Sequence, residues 1–523
     1  MKKRLLSLLL ILCLCAALLS VAVLAEDGVI DVDKTNITNF RGNSNYKYTF
    51  PEGSYRLTGD IQLSADGTLI WLVVEGDVTF DLNGHILRAT EGKRFQIDVG
   101  SSNMDSHLTL TDSQPDVSHE VDGKTINGGM IYGLRGLPGG AGTSCITVNL
   151  GSTLTMQGGS IVSGKIAGSG TDYPDTSGVY VAGTFNMTGG RIIGCSTVSC
   201  GGGVGINGGK FNMSGGSIEN CHADKDGGGV YVWSGVFNMT GGEIKNCTAG
   251  SSGGGVHIGS GAFTMTGGMI RGNSASNNGG GVHIGSDSTF TMTGGSITGN
   301  NAGNGGGVYV GSDVGYGNSI LTLSGAVQIK DNVCNGTKGS NGNYSGGTTS
   351  NVYLRSGKTI TIGTNHLSSN ASIGVTTQNL PTNEGIAIAT GANLNDKQYF
   401  HSDTGENYLF YVTSDGTICM TTANAHDHPI CGATCTDEYT HSIVTEWKPI
   451  GSETELKAAT EGHYYLTQDI ETTGTWETKN NVVLCLNGHS IAANGDFGVI
   501  EIKGANRQFT LCDCNSSAST HYF

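Results

Sequence analysis

The stretch Gly227-Gly228-Gly229-Val230-Tyr231-Val232-Trp233-Ser234-Gly235-Val236-Phe237-Asn238-Met239-Thr240-Gly241-Gly242-Glu243-Ile244-Lys245-Asn246 decides the fold, because the chain repeats it. A Gly-Gly-Gly triplet followed by valine recurs at Val204, Val230, Val256, Val282 and Val308. Each step is 26 residues. A second series runs in phase with the first: Phe185, Phe211, Phe237 and Phe263, then Phe290 after a one-residue insertion. Two residues beyond each phenylalanine stands a methionine, Met187, Met213, Met239, Met265 and Met292. A Gly-Gly pair follows, and then an isoleucine at Ile192, Ile218, Ile244, Ile270 and Ile297.

Within a repeat the apolar residues alternate with polar ones in three short runs, as in Val230-Tyr231-Val232, Phe237-Asn238-Met239 and Ile244-Lys245-Asn246. Alternation with period two marks strands with one face in and one out. The runs are too short for a sandwich of hairpins, and glycine disfavours helix between them. The economical solution is one coil per repeat, with three strands and three turns. Equivalent residues then stack ~4.8 Å apart along the axis. Valine, phenylalanine, methionine and isoleucine each form an internal column, and glycine supplies corners with positive φ. A leucine-rich repeat has a similar period but needs Leu-x-x-Leu-x-Leu, which is absent. The fold class is therefore all-β, a single-stranded parallel β-helix.

The repeat unit from Phe237 to Ile244, continued by Gly253-Gly254-Gly255-Val256, resembles repeats in large surface proteins of anaerobic gut bacteria. It is similar, more loosely, to the short motifs of chlamydial polymorphic outer-membrane proteins. The resemblance implies a right-handed, pectin-lyase-like β-helix and a place at the cell surface in adhesion. That scaffold carries both enzymes and pure binding proteins, so the resemblance speaks for fold more than for activity.

Composition agrees. Glycine is 86 of 523 residues and proline only 7, which excludes collagen. Residues 1–25 read as a secretory signal: Lys2, Lys3 and Arg4, an apolar run from Leu5 to Leu24, and Val23-Leu24-Ala25 at the cut. Its removal takes away three positive charges and no acid, so the formal charge falls from −16 to −19. Such a chain repels nucleic acid and anionic lipid. No later segment is apolar enough to span a bilayer, so the expected partners are extracellular glycans or a host or neighbouring cell surface.

Residues 26–48 read as a lead segment and 49–423 as the β-helix. Near residue 451 the beginning of the unit returns. Glu52-Gly53-Ser54-Tyr55-Arg56-Leu57-Thr58-Gly59-Asp60-Ile61 matches Glu461-Gly462-His463-Tyr464-Tyr465-Leu466-Thr467-Gln468-Asp469-Ile470, and Leu82-Asn83-Gly84-His85 matches Leu486-Asn487-Gly488-His489. Residues 451–523 thus read as the start of a second β-helix. A solenoid end needs a polar cap. None follows, so the reading expects a longer tandem protein.

Candidate chemistry falls in three places. The linker 424–450 carries His426, His428, Cys431, Cys435 and His441, soft ligands that suit zinc; the two cysteines of an exported chain could equally pair. The acidic loops Asp172–Asp175 and Asp224–Asp226 offer calcium ligands. Between the inward valines runs an outward column: Tyr180, Gly205, Tyr231, His257, His283, Tyr309 and Tyr353, with Trp233 beside it. A stripe of rings could stack the sugars of a polymer, or simply pack like against like across the strands. Catalysis on this scaffold needs clustered carboxylates or a base beside calcium. In sequence, Glu219, Glu243, Asp287 and Asp313 lie at different phases, and Arg191 and Arg271 lack flanking acid pairs. The alternatives to glycan binding are a polysaccharide lyase or hydrolase, and a passive spacer. Cys195, Cys221 and Cys247 form a further column continued by Asn273 and Asn300, read as buried small side chains or as inter-coil disulfides.

Overall fold

The computed structural model describes residues 28–41, 47–64, 69–90, 93–101, 104–121, 123–134, 144–164, 177–311, 317–382, 385–405, 408–413, 415–422, 447–478, 482–486, 489–503 and 509–512. The chain divides into two compact units, residues 1–420 and 421–523. No helix among the described residues is long and apolar enough to cross a membrane.

The first unit is a parallel β-helix built around one 36-stranded sheet. Each strand pairs with the equivalent strand of the next coil, in the register that the repeat demands. Val230, Tyr231 and Val232 stand opposite Val256, His257 and Ile258, and Phe237 and Met239 stand opposite Phe263 and Met265. The valine, phenylalanine, methionine and isoleucine columns are buried to the last atom or nearly so. Because the coil rise sets the spacing, the phenylalanine rings lie flat on one another. Centroids from Phe185 through Phe290 are 4.7, 4.8, 4.6 and 4.6 Å apart, with planes within 8°. Each such contact adds about 0.5–1.5 kcal/mol beyond burial.

The glycine triplet has two distinct reasons. Gly227 takes φ +68°, which L side chains rarely adopt. Gly228 and Gly229 instead lie under the next coil, where a Cβ would meet the Thr248 carbonyl at 2.4 Å and the Gly255 carbonyl at 2.6 Å. Close backbone approach, rather than positive φ, requires these two.

Two boundaries differ from the sequence reading. Val29–Val32 pairs in parallel with Gly53–Leu57, so part of the lead segment builds the first coil. Six successive coils also gain a fourth strand of two residues. Ser196–Thr197, His222–Ala223, Thr248–Ala249, Ser274–Ala275, Asn301–Ala302 and Val333–Cys334 form a parallel ladder of their own. Alternation cannot show in two residues, which is why this ladder escaped the period-two pattern.

Cys195, Cys221 and Cys247 are buried and hold thiols rather than inter-coil bridges. Their Sγ atoms donate to the carbonyls of Ile161, Ile192 and Ile218 at 3.7, 3.6 and 3.7 Å. Below them the same carbonyl column accepts from asparagine: Asn273, Asn300 and Asn332 donate Nδ2 to Ile244, Ile270 and Ile297 at 3.0, 3.0 and 2.8 Å. One acceptor column is therefore served first by thiols and then by amides.

In the second unit Trp447–Ile450, Gly462–Leu466, Val482–Cys485 and Phe509–Cys512 pair in parallel, with two shorter parallel pairs beside them. Cys485 and Cys512 are register partners, as their one-coil spacing anticipates. The internal repeat reproduces contacts as well as letters. Tyr55 Oη donates to Pro51 O and Tyr464 Oη to Glu461 O, both at 2.8 Å. His85 Nδ1 lies 3.5 Å from Asp60, and His489 Nδ1 lies 3.6 Å from Asp469. In both units that histidine holds the aspartate, a structural role.

Candidate functional site

The ring column exists, and it is turned on itself. Tyr231, His257, His283, Tyr309 and Tyr353 follow one another with centroids 5.1, 4.5, 5.2 and 5.4 Å apart. The three inner rings, His257, His283 and Tyr309, have a neighbouring ring on either side and are buried. Such rings offer no flat face to a sugar. Tyr180 stands apart across Gly205, its hydroxyl accepting from Asn207 Nδ2 at 2.9 Å. Trp233 meets Tyr231 edge to face at 6.1 Å and is 53% exposed, so it presents an open aromatic face.

The linker residues His426, His428, Cys431, Cys435 and His441, and the loop Asp172–Asp175, lie outside the described residues. In the other acidic turn, Asp224 is bound to His222, and Asp226 accepts the Ser252 N–H at 2.9 Å. No group of three or more His, Cys, Asp or Glu among the described residues is arranged to hold a metal ion.

The acids and bases of the isoleucine face converge more than their phases suggested. Strand register places Ser217-Ile218-Glu219 against Glu243-Ile244-Lys245, and that against Met269-Ile270-Arg271. Lys245 Nζ therefore reaches Glu219 at 3.2 Å and Glu243 at 2.8 Å, and Arg271 Nε hydrogen-bonds to Glu243. Arg271 thus meets one acid across the coils, Glu243, rather than a flanking acid pair. Burial alone would raise the Glu243 carboxyl, but the bonds from Lys245 and Arg271 outweigh it and hold it below its ordinary value. Burial likewise opposes the Lys245 charge, and its two glutamates overcome that and hold it above. Both shifts favour the charged forms of Glu243 and Lys245, paired as they are, which suits neither a proton-donating acid nor a neutral base.

The fourth ladder forms the groove that sequence reasoning missed. Ala249, Ala275 and Ala302 make its floor, each nearly fully buried. Thr248, Ser274 and Asn301 rise on one side and Gly250, Ser276 and Gly303 on the other. His222 closes one end and Asn335 the other. The groove holds about 460 Å³. Four coil steps separate its ends, roughly 19 Å. A hairpin inserted after Cys334 is tied on here by Gly336 N–H to Asn301 Oδ1 at 2.7 Å and Tyr344 N–H to Gly299 O at 3.0 Å. Its lining is neutral and hydrogen-bonding along most of its length, with the His222–Asp224 pair at one end. The signal that could have revealed it is the small residue at Ala223, Ala249, Ala275 and Ala302, recurring with the coil.

No protein-family model matches the chain, and no curated protein matches it. Among solved structures, a PL6 family alginate lyase, AlyGC, aligns over 93% of this chain and 71% of its own, at 11% identity and a TM-score of 0.21. The strand pairings described above, not that alignment, define the class: a parallel β-helix.

Proposed function

We propose that this is a secreted or cell-surface β-helical protein that acts in adhesion by binding extracellular glycans. The groove along the fourth ladder carries the reading. It is long, shallow and open, and its rungs repeat hydroxyl, amide and backbone polar groups at a regular spacing. A polymer of sugars meets such a surface with the same contacts again and again, so affinity grows by repetition rather than from one deep pocket. Trp233 adds an exposed ring of the kind that stacks on a pyranose. The isoleucine face, with its self-neutralised ions, supports binding rather than turnover there.

The test is a glycan array combined with a depolymerisation assay on the full chain, with and without calcium. Binding without new reducing or unsaturated ends, lost in Ser276→Trp, supports the reading. Release of unsaturated or reducing ends would overturn it in favour of a lyase or hydrolase. Silence in both assays would overturn it in favour of a spacer.

A further inference from the structure

One end of the groove carries three side chains in a row. Thr248 Oγ1 lies 2.7 Å from His222 Nδ1, and His222 Nε2 lies 2.8 Å from Asp224 Oδ1. Asp224, as a carboxylate, can only accept, so it draws the ring proton to Nε2. That leaves Nδ1 as the lone pair facing the Thr248 hydroxyl. A hydroxyl, a base within hydrogen-bond reach and a carboxylate that sets the tautomer are the parts of an activated nucleophile. The two ring nitrogens simply exchange their usual partners.

The next rung supplies a donor. Ser274 is the register partner of Thr248, about 4.8 Å along the axis. Its Oγ accepts from Asn301 Nδ2 at 3.3 Å, so its own hydrogen is left to point elsewhere. Asn301 is itself oriented by Gly336 N–H on its Oδ1. A tetrahedral oxyanion formed at Thr248 would have the Ser274 hydroxyl within reach.

We propose that this end of the groove hydrolyses O-acyl esters. Thr248 Oγ1 attacks the ester carbonyl carbon, and its proton passes to His222 Nδ1. The oxyanion collapses, the C–O bond to the alcohol breaks, and the departing alkoxide takes the proton from His222. Water then attacks the acyl-threonine, again giving a proton to Nδ1; the bond to Thr248 Oγ1 breaks, that oxygen takes the proton back from His222, and the carboxylic acid leaves. Thr248, His222 and Ser274 are the catalytic residues, and Asp224 and Asn301 are positioning residues. The inference goes beyond the glycan reading, since a small aryl ester tests it without any glycan.

The experiment is hydrolysis of p-nitrophenyl acetate by the full chain, with mass spectrometry of the acid-quenched mixture. The expected result is saturable turnover and an acetyl group on the peptide that contains Thr248. Thr248→Val and His222→Ser each lower kcat by about 10²-fold or more, while Thr248→Ser keeps it. Serine already stands in the His222 column at Ser196 and Ser274, so His222→Ser leaves the ladder intact. Ser274→Ala lowers kcat about 10²-fold. Asp224→Asn and Asn301→Ala lower kcat with KM unchanged, which a merely structural role would not do. Wild-type turnover in Thr248→Val or His222→Ser, or no acetyl on Thr248, would overturn the proposal.

Discussion

Asn351 donates both its backbone N–H and its side-chain Nδ2 to the carboxylate of Asp403, at 2.7 and 2.5 Å. This contact ends a ladder that begins four coils away. Cys247 N–H donates to Asn273 Oδ1, and Asn273, Asn300 and Asn332 each pass backbone N–H and Nδ2 to the Oδ1 of the next asparagine at 2.9–3.0 Å. The asparagine-to-asparagine bonds all run toward Asp403, which also accepts from Thr376 Oγ1. Asp403→Ala leaves these buried donors unanswered and should cost about 2–3 kcal/mol, whereas Asp403→Asn continues the ladder and should cost less. Denaturant midpoints of the first unit measure both.

The same residue sets a pH dependence. Burial pushes the Asp403 carboxyl above its ordinary 3.8, against the hydrogen bonds that favour its charge. The folded chain therefore holds this proton more tightly than the unfolded one. The contribution to stability is full below pH 3.8 and is lost as pH rises through the higher folded value. The difference in midpoint between wild type and Asp403→Asn, followed upward from pH 3, should show that loss.

Glu453 in the second unit has the opposite sign. Lys457, the Thr473 N–H and the threonine hydroxyls at 472 and 473 bring its carboxyl down to about 2. Its contribution is present above pH 4.5 and disappears as pH falls toward about 2. Glu453→Gln should remove that part of the acid sensitivity, read from circular dichroism during acid titration.

Cys247 occupies a place that the next coils of its column give to asparagine. Its Sγ bonds to Ile218 O as Asn273 Nδ2 bonds to Ile244 O. Cys247→Asn should therefore change stability by less than about 1 kcal/mol, while Cys247→Leu, which answers no carbonyl and overfills the corner, should cost about 1–3 kcal/mol. The burial that excludes water from Cys221 pushes its thiol well above the usual 9.0, so alkylation of this residue should require unfolding.

Phe237 and Trp233 lie four residues apart on one strand and should behave differently. Phe237 is fully buried between two rings, and Phe237→Ala should cost about 3–5 kcal/mol. Trp233→Ala should stay within about 0.5 kcal/mol and, under the glycan reading, weaken binding. Thermal melts and the glycan array separate the two effects.

The sequence by itself determined the coil. A 26-residue period with period-two alternation leaves only one way to bury valine, phenylalanine, methionine and isoleucine, and the structure places all four as internal columns. The same repetition announced the duplicated Tyr55 and Tyr464 environments. Tertiary structure decided what lies across coils at unequal phase. Glu219 and Glu243 meet at Lys245 because register sets Glu219 directly opposite Lys245, while Glu243 shares a face with Lys245 two residues earlier in the same strand. The rings of the His283 column were legible as a stripe, but their facing one another follows from a coil rise close to a ring's stacking distance. The groove, and with it the contact of Thr248 with His222, arises where two-residue strands too short to show a pattern are held in line by the ladders on either side.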